Sequence, residues 1–161
     1  MTQLLIVYHS RTGGARQMAE AAAEAARAEA DTILKTADQA EPEDMLAADG
    51  YIFCAPENLA AISGLMKEFF DRCYYSVLGL IEGRPYAQMI CAGSDGANAA
   101  RQIARIATGW RLKEVQPPLI ICTHAQTPEA IMAEKTIPDD QIETCREIGA
   151  ALAAGLSLGV F

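Results

Sequence analysis

Tyr8-His9-Ser10-Arg11-Thr12-Gly13-Gly14-Ala15 follows the apolar run Leu4-Leu5-Ile6-Val7 and opens a long alanine-rich segment. Strand, hydroxyl- and glycine-rich turn, helix start: this is the layout of a phosphate cradle. Ser10 and Thr12 bring hydroxyl groups, and Gly13 and Gly14 let the backbone turn tightly and carry amides against an anion. The first-turn amides of the following helix are unpaired and carry its positive dipole end, so they too favour a phosphate. Arg11 can add a full charge. The same residue types also cap helices and permit tight turns at any strand-to-helix junction. The stretch is neither a Walker loop nor the G-x-G-x-x-G dinucleotide fingerprint. The rest of the chain has to decide.

Working outward, residues 3–8 predict a buried strand and residues 14–30 a helix. Ala15, Met18, Ala19, Ala22, Ala25 and Ala26 recur at helical spacing, and such small side chains suit close packing on a sheet. Residues 32–36 read as a second strand. Glu41-Pro42-Glu43-Asp44 starts a short helix, with acids near its positive end. Residues 50–55 form a third strand, apolar throughout as a strand covered on both faces should be, and Pro56–Ala60 a loop. Ser63 is placed to cap a helix over 64–75, where Lys67/Asp71 and Glu68/Arg72 make opposite-charge pairs on the outer face. Residues 76–84 connect to a fourth strand at 85–91, a loop at 92–96 and a helix at 97–108. Pro117-Pro118 leads into a fifth strand, 119–123. Residues 124–136 are irregular. Thr136-Ile137-Pro138-Asp139 resembles a capping-box start to a last helix over 139–156.

Five β-α units with buried strands imply a parallel sheet with helices on both faces and right-handed crossovers. The expected order is 2-1-3-4-5, with the ligand crevice at the carboxyl ends of the strands, beside the switch point between strands 1 and 3. The loops at 9–14, 56–62 and 92–96, the first and last of them glycine-bearing, would all converge there.

At 161 residues the chain is expected to be one domain, 1–161. Its net charge of −8 argues against nucleic acid or an anionic membrane as partner. The five cysteines are odd in number, lack a C-x-x-C and lie in apolar stretches, so buried reduced thiols are expected. The N-terminus lacks a basic n-region and no apolar run approaches membrane-spanning length, so a cytoplasmic protein is expected. His9 reads as a turn residue with a solvated or backbone-bonded ring. Trp110 reads as packing, and His124 stands at the functional edge of the sheet outside the three loops.

Leu5-Ile6-Val7-Tyr8-His9-Ser10-Arg11-Thr12-Gly13, Ala55-Pro56-Glu57-Asn58-Leu59, Lys67-Glu68-Phe69-Phe70-Asp71-Arg72 and Ala92-Gly93-Ser94-Asp95-Gly96 together resemble the flavodoxin-like NAD(P)H-dependent FMN oxidoreductases, in the same order along the chain. The resemblance implies a flavodoxin-like three-layer α/β/α fold and non-covalent FMN. The FMN phosphate would sit on Ser10, Arg11, Thr12, Gly13, Gly14 and Ala15. The ring would lie between Pro56, Glu57, Asn58 and Leu59 and the loop of Gly93, Ser94, Asp95 and Gly96. NADPH or NADH is the implied reductant and a quinone-like small molecule the acceptor. A flavodoxin-type electron carrier serving a redox protein is the alternative, and a homodimer is compatible with either. The chain departs from the family's pattern at Ala15, where a hydroxyl is common. It departs again in the second and third loops, which hold no aromatic residue to sandwich the ring. Glu57, if ionised beside the ring, would disfavour an anionic reduced flavin.

Overall fold

The computed structural model describes residues 1–161. Its strands are β1 (Gln3–Tyr8), β2 (Asp31–Thr36), β3 (Gly50–Asn58), β4 (Ala61–Ile62), β5 (Pro85–Ala92), β6 (Lys113–Glu114) and β7 (Leu119–Cys122). Its helices are α1 (Gly14–Ala26), α2 (Pro42–Ala47), α3 (Gly64–Val77), α4 (Ala97–Gly109), α5 (Pro128–Met132) and α6 (Asp139–Leu158). β1 lies between β2 and β3, parallel to both, with Leu5 facing Ile33 on one side and Tyr51 on the other. β5 runs parallel beside β3 and completes the path β2-β1-β3-β5-β6.

The expected strand order therefore holds, but the sheet has seven strands instead of five. Two local causes account for the difference. At the fifth position, β6 pairs with Pro85 and Tyr86 while β7 pairs with Met89 to Ala92. Between them stand Pro117 and Pro118, which have no N–H to offer a ladder. At the third position, β3 runs on through Pro56 and Glu57 to Asn58 and folds back antiparallel onto β4, so the expected loop is mostly hairpin.

Strand alternation divides the sheet's side chains between two cores. Leu5, Val7, Tyr51 and Phe53 face α2, α3 and α4, whereas Leu4, Ile6, Ile52 and Cys54 face α1 and α6. The first core is aromatic: Phe53 touches Phe69, Phe70, Tyr86 and Trp110. Trp110 is fully buried, lies parallel to Tyr74 at 5.5 Å, and donates its indole N–H to the Tyr74 carbonyl at 3.0 Å. It is a packing residue, as expected. The second core is built of small residues. Gly149 of α6 sits so close to α1 that a Cβ there would fall 2.1 Å from the Ala22 carbonyl oxygen. The alanines of α1 thus serve close approach to a second helix as well as to the sheet.

Element ends moved modestly: α1 stops at Ala26, and α6 continues to Leu158, where Gly159 closes it in the left-handed conformation. No side-chain cap forms at the start of α6, so the capping-box reading there fails; Pro138 occupies the cap position. The Lys67–Asp71 and Glu68–Arg72 pairs form on α3. Arg72 also donates to the carbonyls of Ala37 and Ala40, tying α3 to the loop after β2. No helix is long and apolar enough to cross a membrane.

Candidate functional site

The three loops do converge. They bound a cleft of about 560 Å³ at the carboxyl ends of β1, β3 and β5. That volume lies within the roughly 300–1,000 Å³ usual for small-molecule and cofactor sites. Ser10, Arg11, Thr12, Gly14, Ala15, Pro56, Glu57, Asn58, Leu59, Gly93 and Ser94 line it. Gly13, Asp95 and Gly96 belong to the same loops but do not line it.

In the first loop Gly13 adopts a left-handed φ of 91° and turns the chain from β1 into α1. Its N–H donates to Ser10 Oγ at 3.1 Å, which leaves the Ser10 hydroxyl hydrogen to donate elsewhere. The first-turn amides of α1 have no intrahelical acceptor, and no side chain caps them at the cleft wall. Gly14 rests on the cleft floor: a Cβ there would lie 2.6 Å from Cys91 Sγ. Glycine, hydroxyls and uncapped amides are the donor set that a phosphate group requires.

The second and third loops are joined to each other. Glu57 Oε2 accepts the Gly96 N–H at 2.8 Å, and Asn98 donates to the Ala60 carbonyl at 2.6 Å. The carboxylate expected beside a flavin ring thus has one oxygen committed to the start of α4, where the helix dipole offsets part of its charge. Asp95 Oδ1 accepts the Ala97 N–H at 3.2 Å and adds a second anion there. Gly96 has φ 85°, and a Cβ would lie 2.7 Å from Ile120 Cγ2, so both conformation and space call for glycine. At the hairpin tip Leu59 and Ala60 both take left-handed φ, 50° and 62°. Leu59 is fully exposed at the cleft mouth.

His9 differs from expectation. Its ring is half-buried and is joined through Nδ1 to a side chain, Ser63 Oγ, at 2.7 Å. Ser63 occupies the cap position of α3 yet makes no side-chain cap bond, because its buried hydroxyl is turned to His9. Burial first, and then the Arg11 charge, lower the His9 pKa below its ordinary value. His124 has a left-handed φ of 61° and donates its N–H to the Gly93 carbonyl at 2.8 Å; its side chain does not line the cleft. All five cysteines are free thiols, Cys122 partly exposed and the others buried. Burial raises the Cys91 thiol to about 11, which keeps it protonated at the cleft floor near neutral pH.

One wall was not anticipated. Residues of the irregular stretch after β7, among them Gln126, Ile131, Met132 and Lys135, close the cleft beside the first loop. The Lys135 N–H donates to the Thr12 carbonyl at 2.8 Å. The Gln17 side-chain amide donates to the Lys135 carbonyl at 2.6 Å and accepts the Ile137 N–H at 3.0 Å. Arg16 pairs with Glu134 at 3.4 Å. The available signal was topological: any segment leaving the carboxyl end of the fifth strand must pass this edge.

Residues 35–126 match the family described as NADPH-dependent FMN reductase, a span that begins after the first loop. A flavodoxin of Aquifex aeolicus (strain VF5) is 31% identical over 170 aligned positions, covering 99% of this chain and 90% of that protein. An NAD(P)H dehydrogenase (quinone) of Acidithiobacillus ferrooxidans is 33% identical over 94 positions, 45% of this chain and 47% of that protein. In fold, a flavodoxin from the domain Archaea superposes with a TM-score of 0.78 at 16% identity, over 96% of this chain and 99% of that one.

Proposed function

Because this chain belongs to the flavodoxin-like NADPH-dependent FMN reductase family, we propose that residues 1–161 form one FMN-binding unit that takes electrons from NADPH or NADH and passes them to a small acceptor such as a quinone. The observation that carries this reading is the uncapped start of α1 beside Ser10, Thr12 and Gly14 at one end of an open cleft. In this reading Ser10, Arg11, Thr12, Gly13, Gly14 and Ala15 hold the phosphate. Pro56, Glu57, Asn58 and Leu59 on one side and Gly93, Ser94, Asp95 and Gly96 on the other position the ring. FMN, when bound, supplies the hydride-accepting and hydride-donating chemistry. The chain's own task is to bind, orient and leave access. Leu59 offers apolar contact, and no aromatic side chain lines the cleft, so one face stays reachable by a second substrate. With Cys91 held as a protonated thiol, no side chain at the floor competes as a nucleophile.

A flavodoxin-type electron carrier is the second reading, favoured by the match to a flavodoxin along nearly the whole chain and by the net charge of −8. The two separate in one anaerobic experiment. FMN-loaded protein freed of excess cofactor is mixed with NADPH or NADH, and the flavin absorbance is followed. Rapid bleaching is expected of a reductase. Tight FMN binding without bleaching selects the carrier, and failure to bind FMN overturns both.

A further inference from the structure

Only two cationic side chains, Arg11 and Lys135, line the cleft. Arg11 is exposed, whereas the Lys135 ammonium is held in place. It donates to the carbonyls of Ile131 at 2.8 Å and Ala133 at 2.5 Å, and to Thr12 Oγ1 at 3.4 Å. Those acceptors are neutral. They fix the ammonium's position without cancelling its charge. No carboxylate lies within ion-pair distance of it; the neighbouring Glu134 is turned to Arg16. The result is a half-buried, unpaired cation set against the hydroxyl of Thr12, in a protein whose net charge is −8. Desolvating a charge without a counter-ion is costly. The long contact to Thr12 is the one that an incoming anion can replace.

We infer that Lys135 is the counter-charge to the phosphate bound by the first loop, held beside that loop by the segment after β7. The inference rests on the preceding reading of the cleft as an FMN site. It explains why α1 can begin without a capping side chain in a strongly acidic protein: the dianion meets hydroxyls, amides and an adjacent ammonium. It also gives the clasp through Gln17 and the Thr12 carbonyl a purpose, since those bonds hold Lys135 in register with the loop.

The test compares FMN with riboflavin, which lacks only the phosphate, by flavin fluorescence titration of the native chain and of Lys135→Met and Lys135→Arg. Loss of one charge-assisted hydrogen bond should weaken FMN binding by about ten- to a hundredfold in Lys135→Met. Riboflavin binding should stay unchanged, and Lys135→Arg should retain most of the FMN affinity. Added salt should weaken FMN binding to the native chain more steeply than to Lys135→Met. Equal losses for both flavins would mean that Lys135 only holds the wall in place, and no loss for either would mean that it faces solvent; each overturns the inference and leaves the FMN site standing. A native chain that binds neither flavin overturns the site itself. Should Lys135→Met fail to fold, the native chain still decides: salt-insensitive FMN binding contradicts the inference.

Discussion

Two helices begin at this cleft after a left-handed glycine, and they are finished in opposite ways. α4 follows Gly96 and receives two carboxylates, Glu57 on the Gly96 amide and Asp95 on the Ala97 amide. α1 follows Gly13, whose amide donates to the neutral Ser10 hydroxyl, and no carboxylate accepts from it; the nearby Glu134 carboxylate is paired with Arg16. Nearly identical backbone turns, φ 85° and 91°, therefore produce one closed anion site and one open one. The positive end of a helix attracts an anion in either case. Where the chain supplies its own, the helix start is structural. Where it withholds one, a ligand can take the place.

The strongest way to break this contrast is to finish α1 as α4 is finished. Thr12→Asp should lower FMN affinity by about a hundredfold, the scale of two like charges some 5 Å apart in a partly screened site. Thermal unfolding of the ligand-free variant should change little, which separates ligand competition from misfolding. Next in size is the clasp that only the α1 side has. Gln17→Leu removes both arms at once and leaves the Lys135 carbonyl and the Ile137 amide without partners. Urea denaturation should report a loss of about 1–3 kcal/mol, with FMN weakened more than riboflavin because Lys135 loses its register.

On the α4 side the expected effect is smaller. Glu57→Gln keeps an oxygen to accept the Gly96 N–H but removes the charge. Equilibrium unfolding should register a loss of about 0.3–1 kcal/mol. The midpoint potential of bound FMN should rise slightly, because part of the carboxylate's field already falls on α4. The smallest effect is a pH dependence. Burial lowers the His9 pKa in the folded protein, so the unfolded chain takes up a proton more readily. Stability should then fall as pH drops through about 6.5, the ordinary histidine value. In His9→Gln that acid-side loss should shrink, as read from unfolding midpoints at a series of pH values.

How much of this was legible in the sequence follows from the range of the interactions. The β-α order and the glycine turns are written in local patterns, the loop convergence follows from the strand order they imply, and all three carried over to the structure. Pro56-Glu57-Asn58 reads as a turn because its residue types disfavour strands, yet Asn58 pairs with Ala61 across a left-handed Leu59-Ala60 tip. Ser63 has the right type for a cap, but a partner 54 residues away in sequence claims its hydroxyl. Lys135 lies in the stretch with least periodicity, and its contact with Thr12 spans 123 positions. Glu57 is expected in the second loop but lies in β3, and its bond to Gly96 follows from that strand's running past its expected end.

The broken fifth strand has a consequence for the molecule's behaviour in a crowded solution. A sheet that ends in a long, regular strand offers a row of unsatisfied backbone donors and acceptors on which another chain can build. Here that margin is cut into pieces of two and four residues, with Pro117 and Pro118 in the gap. The opposite margin, β2, carries Asp31 and Lys35 among its six residues. Neither border offers a long, uncharged template to which another chain could add a strand.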